Sequence, residues 1–139
     1  MFDLNEIEMR TLATLEEAGE ENFTCLINTV ALNAPISEIK RDFLDALRGL
    51  VQRNQVRLST SRGLDRRLVD LSIEASLVEI DGQDARLEFD SVRDLWTDST
   101  RSGPPYPSPN PYVVLTPAGL ARSREILTER GYQWWSPIA

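Results

Sequence analysis

The chain has 139 residues, 41% hydrophobic and 27% charged, which predicts one soluble globular domain with its own buried core. The net charge of -7 argues against a protein that binds nucleic acid over its whole surface. The sequence has no apolar run long enough for a membrane helix, its acidic start does not resemble a secretory signal, and Cys25 is its single cysteine. We therefore expect a cytoplasmic protein without an intramolecular disulfide or a membrane partner.

The charges are distributed unevenly along the chain. Residues 40–67, which we call the basic segment, carry eight basic side chains against three acidic ones. The segments before and after it are both net acidic. Cations clustered in an otherwise acidic protein are typical of a surface that contacts phosphate groups, although arginines are also scattered over many protein surfaces.

The first quarter of the chain predicts two helices. Asn5 and Glu8 have the spacing of a capping box, so a first helix is predicted over residues 5–18, and Gly19 can end it. Apolar residues at helical spacing then predict a short second helix over residues 23–32.

A third helix is predicted over residues 37–52, with Ser37 as its cap. Its apolar stripe consists of Ile39, Phe43, Ala46, Leu47 and Leu50. Asn54 suits a left-handed position after the helix, and the alternation that follows over residues 55–60 predicts a strand.

The middle of the chain fits more than one structure. Residues 69–77 alternate as in a strand, but the apolar residues from Leu64 to Val78 also fit a helical face that Ser72 could cap. The "DGQD" sequence at 81–84 predicts a turn before a strand over 85–90. Asp90 is placed to cap a short helix beyond that strand.

The last third begins with a proline-rich loop, residues 98–111, which we interpret as a stiff surface connector. A short strand over residues 113–115 then leads into a final helix, with Thr116 as its cap and Pro117 in its first position. Gly119 lies in the first turn of this helix, where the lack of a side chain would let another backbone approach closely.

The sequence does not predict catalysis, a metal or a cofactor. It contains no histidine and no glycine-rich phosphate loop, and Cys25 has no base to activate it, so a packed cysteine is expected. The acidic cluster of Glu16, Glu17, Glu20 and Glu21 has no other type of metal ligand near it, so we interpret it as a solvated helix end.

The order helix, helix, helix, strand, insertion, strand, helix resembles the winged helix-turn-helix regulators of the MarR and PadR type. The resemblance rests on "SEIKRDFLDALRGLVQRNQVRLST" and on "YVVLTPAGLARSREIL", whose "LTPAG" is similar to a strand–helix junction common in that family. It implies an α+β fold with three N-terminal helices, a small β-wing and a C-terminal helix. The long stretch 61–111 would be an elaborated wing within a single domain of residues 1–139.

The resemblance implies a DNA-binding transcriptional regulator whose third helix enters the major groove while residues 55–67 supply wing contacts. The outward stripe of that helix would consist of Arg41, Asp45, Arg48 and Gln52. The alternative is that Asp45 pairs with both arginines in an ordinary solvated surface. The predicted contacts to double-stranded DNA are Ser37, Lys40, Arg41, Arg48, Gln52, Arg57, Arg62, Arg66 and Arg67.

An assembly module that binds another protein and not DNA is the second hypothesis. Tyr132, Trp134 and Trp135 lie together near the C-terminus, and such aromatic residues are enriched at protein interfaces. They would either pack on their own domain or contact the second subunit of a homodimer. The resemblance also allows a small-molecule effector, which the sequence does not identify.

Overall fold

The computed structural model describes residues 4–31, 34–62, 67–98, 111–132 and 134, with the backbone alone at residues 18, 61, 62, 67 and 68. The helices in this part of the chain are α1 (Glu6–Ala18), α2 (Phe23–Val30), α3 (Ile36–Gln52), α4 (Ile73–Arg86) and α5 (Pro117–Arg130). The strands are β1 (Glu20–Asn22), β2 (Val56–Arg62), β3 (Arg67–Asp70), β4 (Leu87–Asp90), β5 (Leu95–Asp98) and β6 (Tyr112–Leu115). The predicted α+β class is therefore confirmed.

Strand β6 lies inside a four-stranded antiparallel sheet of order β1-β6-β2-β3, although it is the last of the described strands in the chain. Val113 of β6 is opposite Glu21 of β1 on one side and opposite Leu58 of β2 on the other. β4 and β5 form a separate antiparallel hairpin in which Phe89 is opposite Trp96. We call the chain between β2 and β6 the insert. Of its described residues, only those of β3 belong to the main sheet.

The predicted ends of α1 are confirmed at both termini. The Asn5 side chain accepts a hydrogen bond from the Glu8 backbone at 2.8 Å, and Glu8 accepts one from the Asn5 backbone at 3.0 Å. Gly19 has a φ of 81°, the left-handed conformation expected after a helix. Asn54, after α3, is also left-handed, with a φ of 62°.

Two of the predicted helix boundaries need correction. Ser37 does not cap α3, because the helix already begins at Ile36 and Pro35 occupies the cap position without a side-chain hydrogen bond. The second helix is shorter than predicted and ends at Val30.

The ambiguous middle of the chain forms a strand and then a helix. β3 ends at Asp70, and the Ser72 side chain caps α4 by accepting a hydrogen bond from the backbone of Ala75 at 3.1 Å. The turn predicted at 81–84 is wrong, because those residues belong to α4. The helix predicted after Asp90 is also wrong: the Asp90 carboxylate accepts hydrogen bonds from the next turn, which leads into β5. The proline-rich residues 99–110 lie outside the described residues.

The core lies between the helices and the main sheet. Phe23 of α2 and Phe43 of α3 pack edge to face with ring centroids 5.4 Å apart. α5 packs antiparallel on α1, where the Ser123 hydroxyl donates a buried hydrogen bond of 2.8 Å to the Leu12 carbonyl. Among the described residues, none of the helices has the length and apolarity required to cross a lipid bilayer.

Two chain corners dock against each other beside the sheet. The corner between α3 and β2 presents the carbonyls of Asn54 and Gln55, which accept hydrogen bonds of 2.6 and 3.1 Å from the Thr116 hydroxyl and backbone N–H. Thr116 also caps α5 by accepting from the Gly119 N–H at 3.0 Å. A Cβ at Gly119 would lie 1.9 Å from the Gln55 oxygen, which confirms the predicted close approach of two backbones.

We expect Gly119→Ala to destabilise the protein by about 1–3 kcal/mol or more, because the backbone carbonyl of Gln55 cannot move away without breaking the corner. The matched control is Gly82→Ala in α4, where an added Cβ meets no atom within 4 Å. That change should leave stability unchanged or raise it by about 0.5–1 kcal/mol. Urea denaturation of both variants checks this, and equal midpoints would contradict it.

Candidate functional site on α3 and α4

The outward side of α3 carries part of the predicted DNA-contact set. Ser37, Arg41 and Gln52 are exposed. The Arg41 guanidinium lies 3.3 Å from the Asp42 carboxylate, its neighbour in the chain. The stripe of α3 is therefore only partly cationic.

Lys40 and Arg48 of α3 are engaged by α4, which packs beside it. The Lys40 ammonium donates to the backbone oxygen of Asp84 at 2.8 Å and lies 3.7 Å from the Asp84 carboxylate. Arg48 forms a hydrogen bond of 3.0 Å with the carboxylate of Asp81 and another of 2.8 Å with that of Asp45. Two predicted phosphate contacts are thus neutralised within the chain.

The α3–α4 face, formed by the outward sides of these two helices, has more acidic than basic side chains. α4 contributes Glu74, Glu79, Asp81 and Asp84 against Arg86. On α3, the cations Lys40, Arg41 and Arg48 are balanced by Glu38, Asp42 and Asp45. A phosphate backbone that approached this face would meet carboxylates beside each arginine, which opposes duplex binding.

The remaining cations of the basic segment are dispersed. Arg57 is half-buried on β2, and Arg53 binds the buried carboxylate of Glu8 at 2.6 Å. Arg62 and Arg67 are backbone partners at the end of the β2–β3 pair, but their side chains are outside the described part of the structure, as is the whole of Arg66. The predicted wing contacts therefore stay predictions.

Apolar contacts attach α4 to the rest of the domain. Ile80 of α4 is fully buried, as are Leu47 and Val51 of α3, which follow Lys40 by two and three turns on the same side of the helix. The buried Ser76 hydroxyl accepts a hydrogen bond of 3.1 Å from the backbone N–H of Leu58 in β2. α4 therefore also packs on β2.

The β4–β5 hairpin is attached to α2 through one amide side chain. Asn28 donates to the Trp96 carbonyl at 3.0 Å and accepts from the Trp96 N–H at 2.7 Å. Arg86, at the end of α4, binds the buried carboxylate of Asp98 at 2.7 Å. The insert therefore contacts α2 as well as α3.

The apolar side chains that the insert buries indicate how firmly it is attached to the rest of the domain. Ile80, Leu87 and Trp96 are at most 5% exposed, and burying three such side chains contributes on the order of 5–9 kcal/mol. Against this, the buried amide of Gln83 finds no hydrogen-bond partner among the described residues, a defect worth roughly 1–3 kcal/mol. These three side chains belong to the same core cluster as Leu47 and Val51, so α4 and the hairpin are integral to the fold.

The C-terminal aromatic residues occupy different environments. Trp134 packs against the core, and the Arg130 guanidinium lies 3.9 Å from the centre of its ring. Tyr132 is 66% exposed, and Trp135 lies outside the described residues. Trp134 therefore packs on its own domain, which is one of the two alternatives predicted for these residues.

Cys25 is exposed on α2, so the expectation of a packed cysteine is wrong. Partial desolvation, and secondly the nearby carboxylate of Glu21, raise the pKa of its thiol above the ordinary value. Both effects disfavour the thiolate, which is the opposite of what a nucleophilic cysteine needs.

The role of α4 was not predicted, although the sequence of α3 contains a sign of it. Leu44 and Val51 are buried but lie outside the narrow apolar stripe that defined the predicted core face. Together they make the apolar arc of α3 wider than the surface that a single packing partner would cover. An apolar arc of this width indicates a second packing partner.

Comparisons of the chain with protein-family models, with curated proteins and with solved structures find no significant match.

We expect Ile80→Ala to destabilise the protein by about 2–5 kcal/mol, because it leaves a cavity under α4. Asp81→Asn removes only a surface ion pair and should cost about 1 kcal/mol or less. Urea denaturation followed by tryptophan fluorescence and by circular dichroism should give one coincident transition for both variants. A separate early transition in Ile80→Ala would contradict the integral role of α4.

The raised pKa of Cys25 leaves less thiolate at pH 7 than an ordinary cysteine would have. Iodoacetamide should therefore alkylate the folded protein more slowly than the urea-unfolded protein, despite the exposure of the side chain. Mass spectrometry of samples quenched over time measures both rates. A faster reaction in the folded state would show an activated thiol.

Proposed function

We propose that the chain is a winged-helix domain. The supporting observation is the order α1, β1, α2, α3, β2, β6, with β6 between β1 and β2 in the sheet. This order agrees with the sequence resemblance, and the insert lies between the two strands that would form the wing. β3 extends β2 as the start of an enlarged wing, since Arg62 and Arg67 are paired at its end.

We further propose that the domain binds another protein through its surface and does not read duplex DNA through α3. The observation that carries this proposal is the placement of Asp81 and Asp84 of α4 against Arg48 and Lys40. A helix in the major groove needs unobstructed cations along its sides, and here one side is occupied by another helix with an acidic surface.

The insert also exposes apolar side chains of the kind found in protein interfaces. Val78 is 70% exposed on the outward side of α4, and Val92 is 93% exposed in the turn of the β4–β5 hairpin. Single exposed apolar residues are ordinary on protein surfaces. On an insert that covers α3, however, they favour a partner protein over a phosphate backbone.

A DNA-binding regulator remains the second candidate function. Ser37, Arg41 and Gln52 are exposed on α3, and arginine and glutamine side chains suit contacts with base edges. A homodimer, a small-molecule effector, a cytoplasmic location and the absence of catalysis also stay predictions.

Fluorescence anisotropy with a labelled mixed-sequence duplex at low salt separates the two candidates. We expect no saturable binding up to about 100 µM protein, whereas non-specific DNA-binding proteins typically bind with dissociation constants of roughly 1–100 µM even at physiological salt. The physical reason is the acidic α3–α4 face.

The control for this titration compares two exposed arginines of equal charge. Saturable binding that falls steeply with salt, weakens in Arg41→Ala and persists in Arg124→Ala would restore the regulator hypothesis, because Arg124 lies on α5. Binding lost equally in both variants would indicate general attraction without a role for α3.

A further inference from the structure

A groove of about 400 Å³ lies between the end of α1 and the start of α5, on residues outside the insert. Its lining includes the apolar side chains of Leu115, Pro117 and Leu120. Its rim includes Glu16, Glu17 and Arg124. The volume is within the range of sites that take small ligands or a few side chains of a partner.

The charge at the rim is predominantly negative. Arg124 is 3.8 Å from the Glu16 carboxylate, whereas Glu17 is exposed. Glu20 does not line the groove but is exposed directly after Gly19, which does. These carboxylates also lie at the C-terminal end of α1, whose last turn has no basic residue. That end of a helix carries partial negative charge, which adds to the repulsion among the carboxylates. A bound cation would relieve this repulsion.

We infer that this groove docks a segment of a partner protein that combines aliphatic and basic side chains. This inference rests on the proposed function and names the surface and the chemistry of the partner. An aliphatic side chain would pack on Leu115 and Leu120, while a lysine or arginine next to it would pair with Glu17. Nucleic acid does not suit this surface, because the carboxylates on the rim repel phosphate.

The groove and the α3–α4 face are separate surfaces. The groove is formed by α1, the end of β6 and α5, whereas α3 and α4 contribute no lining residue. The Thr116 cap and the tight corner at Gly119 hold the start of α5 in place beside it. One wall of the groove is therefore held in place before a partner binds, which lowers the entropic cost of binding.

The test uses the ¹⁵N-labelled chain of 139 residues and a synthetic peptide that alternates lysine and leucine, with both ends blocked. Titration at low salt should shift the amide signals of Glu17, Gly19 and Leu120 in a saturable manner. A second peptide with glutamate in place of lysine should leave these signals unchanged. The shifts should decrease as salt is added, since the charges at the rim are exposed.

Glu17→Lys tests the charge, and Glu129→Lys is the matched control because it makes the same charge change on an exposed part of α5 outside the groove. We expect Glu17→Lys to weaken peptide binding about five- to tenfold, because an ion pair becomes a repulsion. Glu129→Lys should leave the affinity within about twofold.

The inference would be overturned by no shift at the groove, by equal weakening in both variants, or by groove shifts that follow protein concentration without peptide. The third would assign the groove to a second copy of this chain. Saturable peptide shifts confined to α3 and α4 would also overturn it while leaving the proposed interaction module intact. The failure of that broader proposal is seen separately, as duplex binding in the anisotropy experiment.

Discussion

The contact between Gly119 and the Gln55 carbonyl fixes the last strand and helix of the described structure against the N-terminal half of the domain. It joins the corner after α3 to the corner before α5, and the Thr116 side chain bonds to both corners at once. From this point β2 and β6 run into the sheet as direct neighbours, and α5 turns back along α1. The insert can be long because the start of β2 and the end of β6, which it separates in sequence, are held together by this contact.

Charge and packing in the insert act together on α3. The buried Ile80 and the hydrogen bond between Ser76 and Leu58 hold α4 in position, and salt does not screen these interactions as it screens ion pairs. The ion pairs of Asp81 and Asp84 contribute little to that attachment, because all four partners are partly exposed. Their effect is on the surface charge, because they place two carboxylates beside Lys40 and Arg48 along one side of α3.

Local rules predicted the parts of this fold that local chemistry determines. The capping box at Asn5 and the cap at Thr116 follow from side-chain geometry within one turn. The close approach at Gly119 follows from the lack of a side chain there, although the sequence did not show that Gln55 is the residue approached. The middle could not be assigned, because residues 69–77 satisfy both periodicities and Gly82 suggests a turn inside what is a helix. The acidic neighbours of α3 could not be predicted either, because only tertiary packing brings the carboxylates of α4 beside Lys40 and Arg48.

The position of β6 has a consequence for how the chain is made and folded. During synthesis α1, α2, α3 and β2 emerge first, but β1 and β2 have no strand between them until Tyr112–Leu115 has been added. The sheet is therefore closed by contacts of high sequence separation, a feature of slow-folding topologies. Until then the apolar faces of the N-terminal helices lack the sheet on which they pack. Because α4 packs on α3 and on β2, it can shield part of that apolar surface before β6 is made.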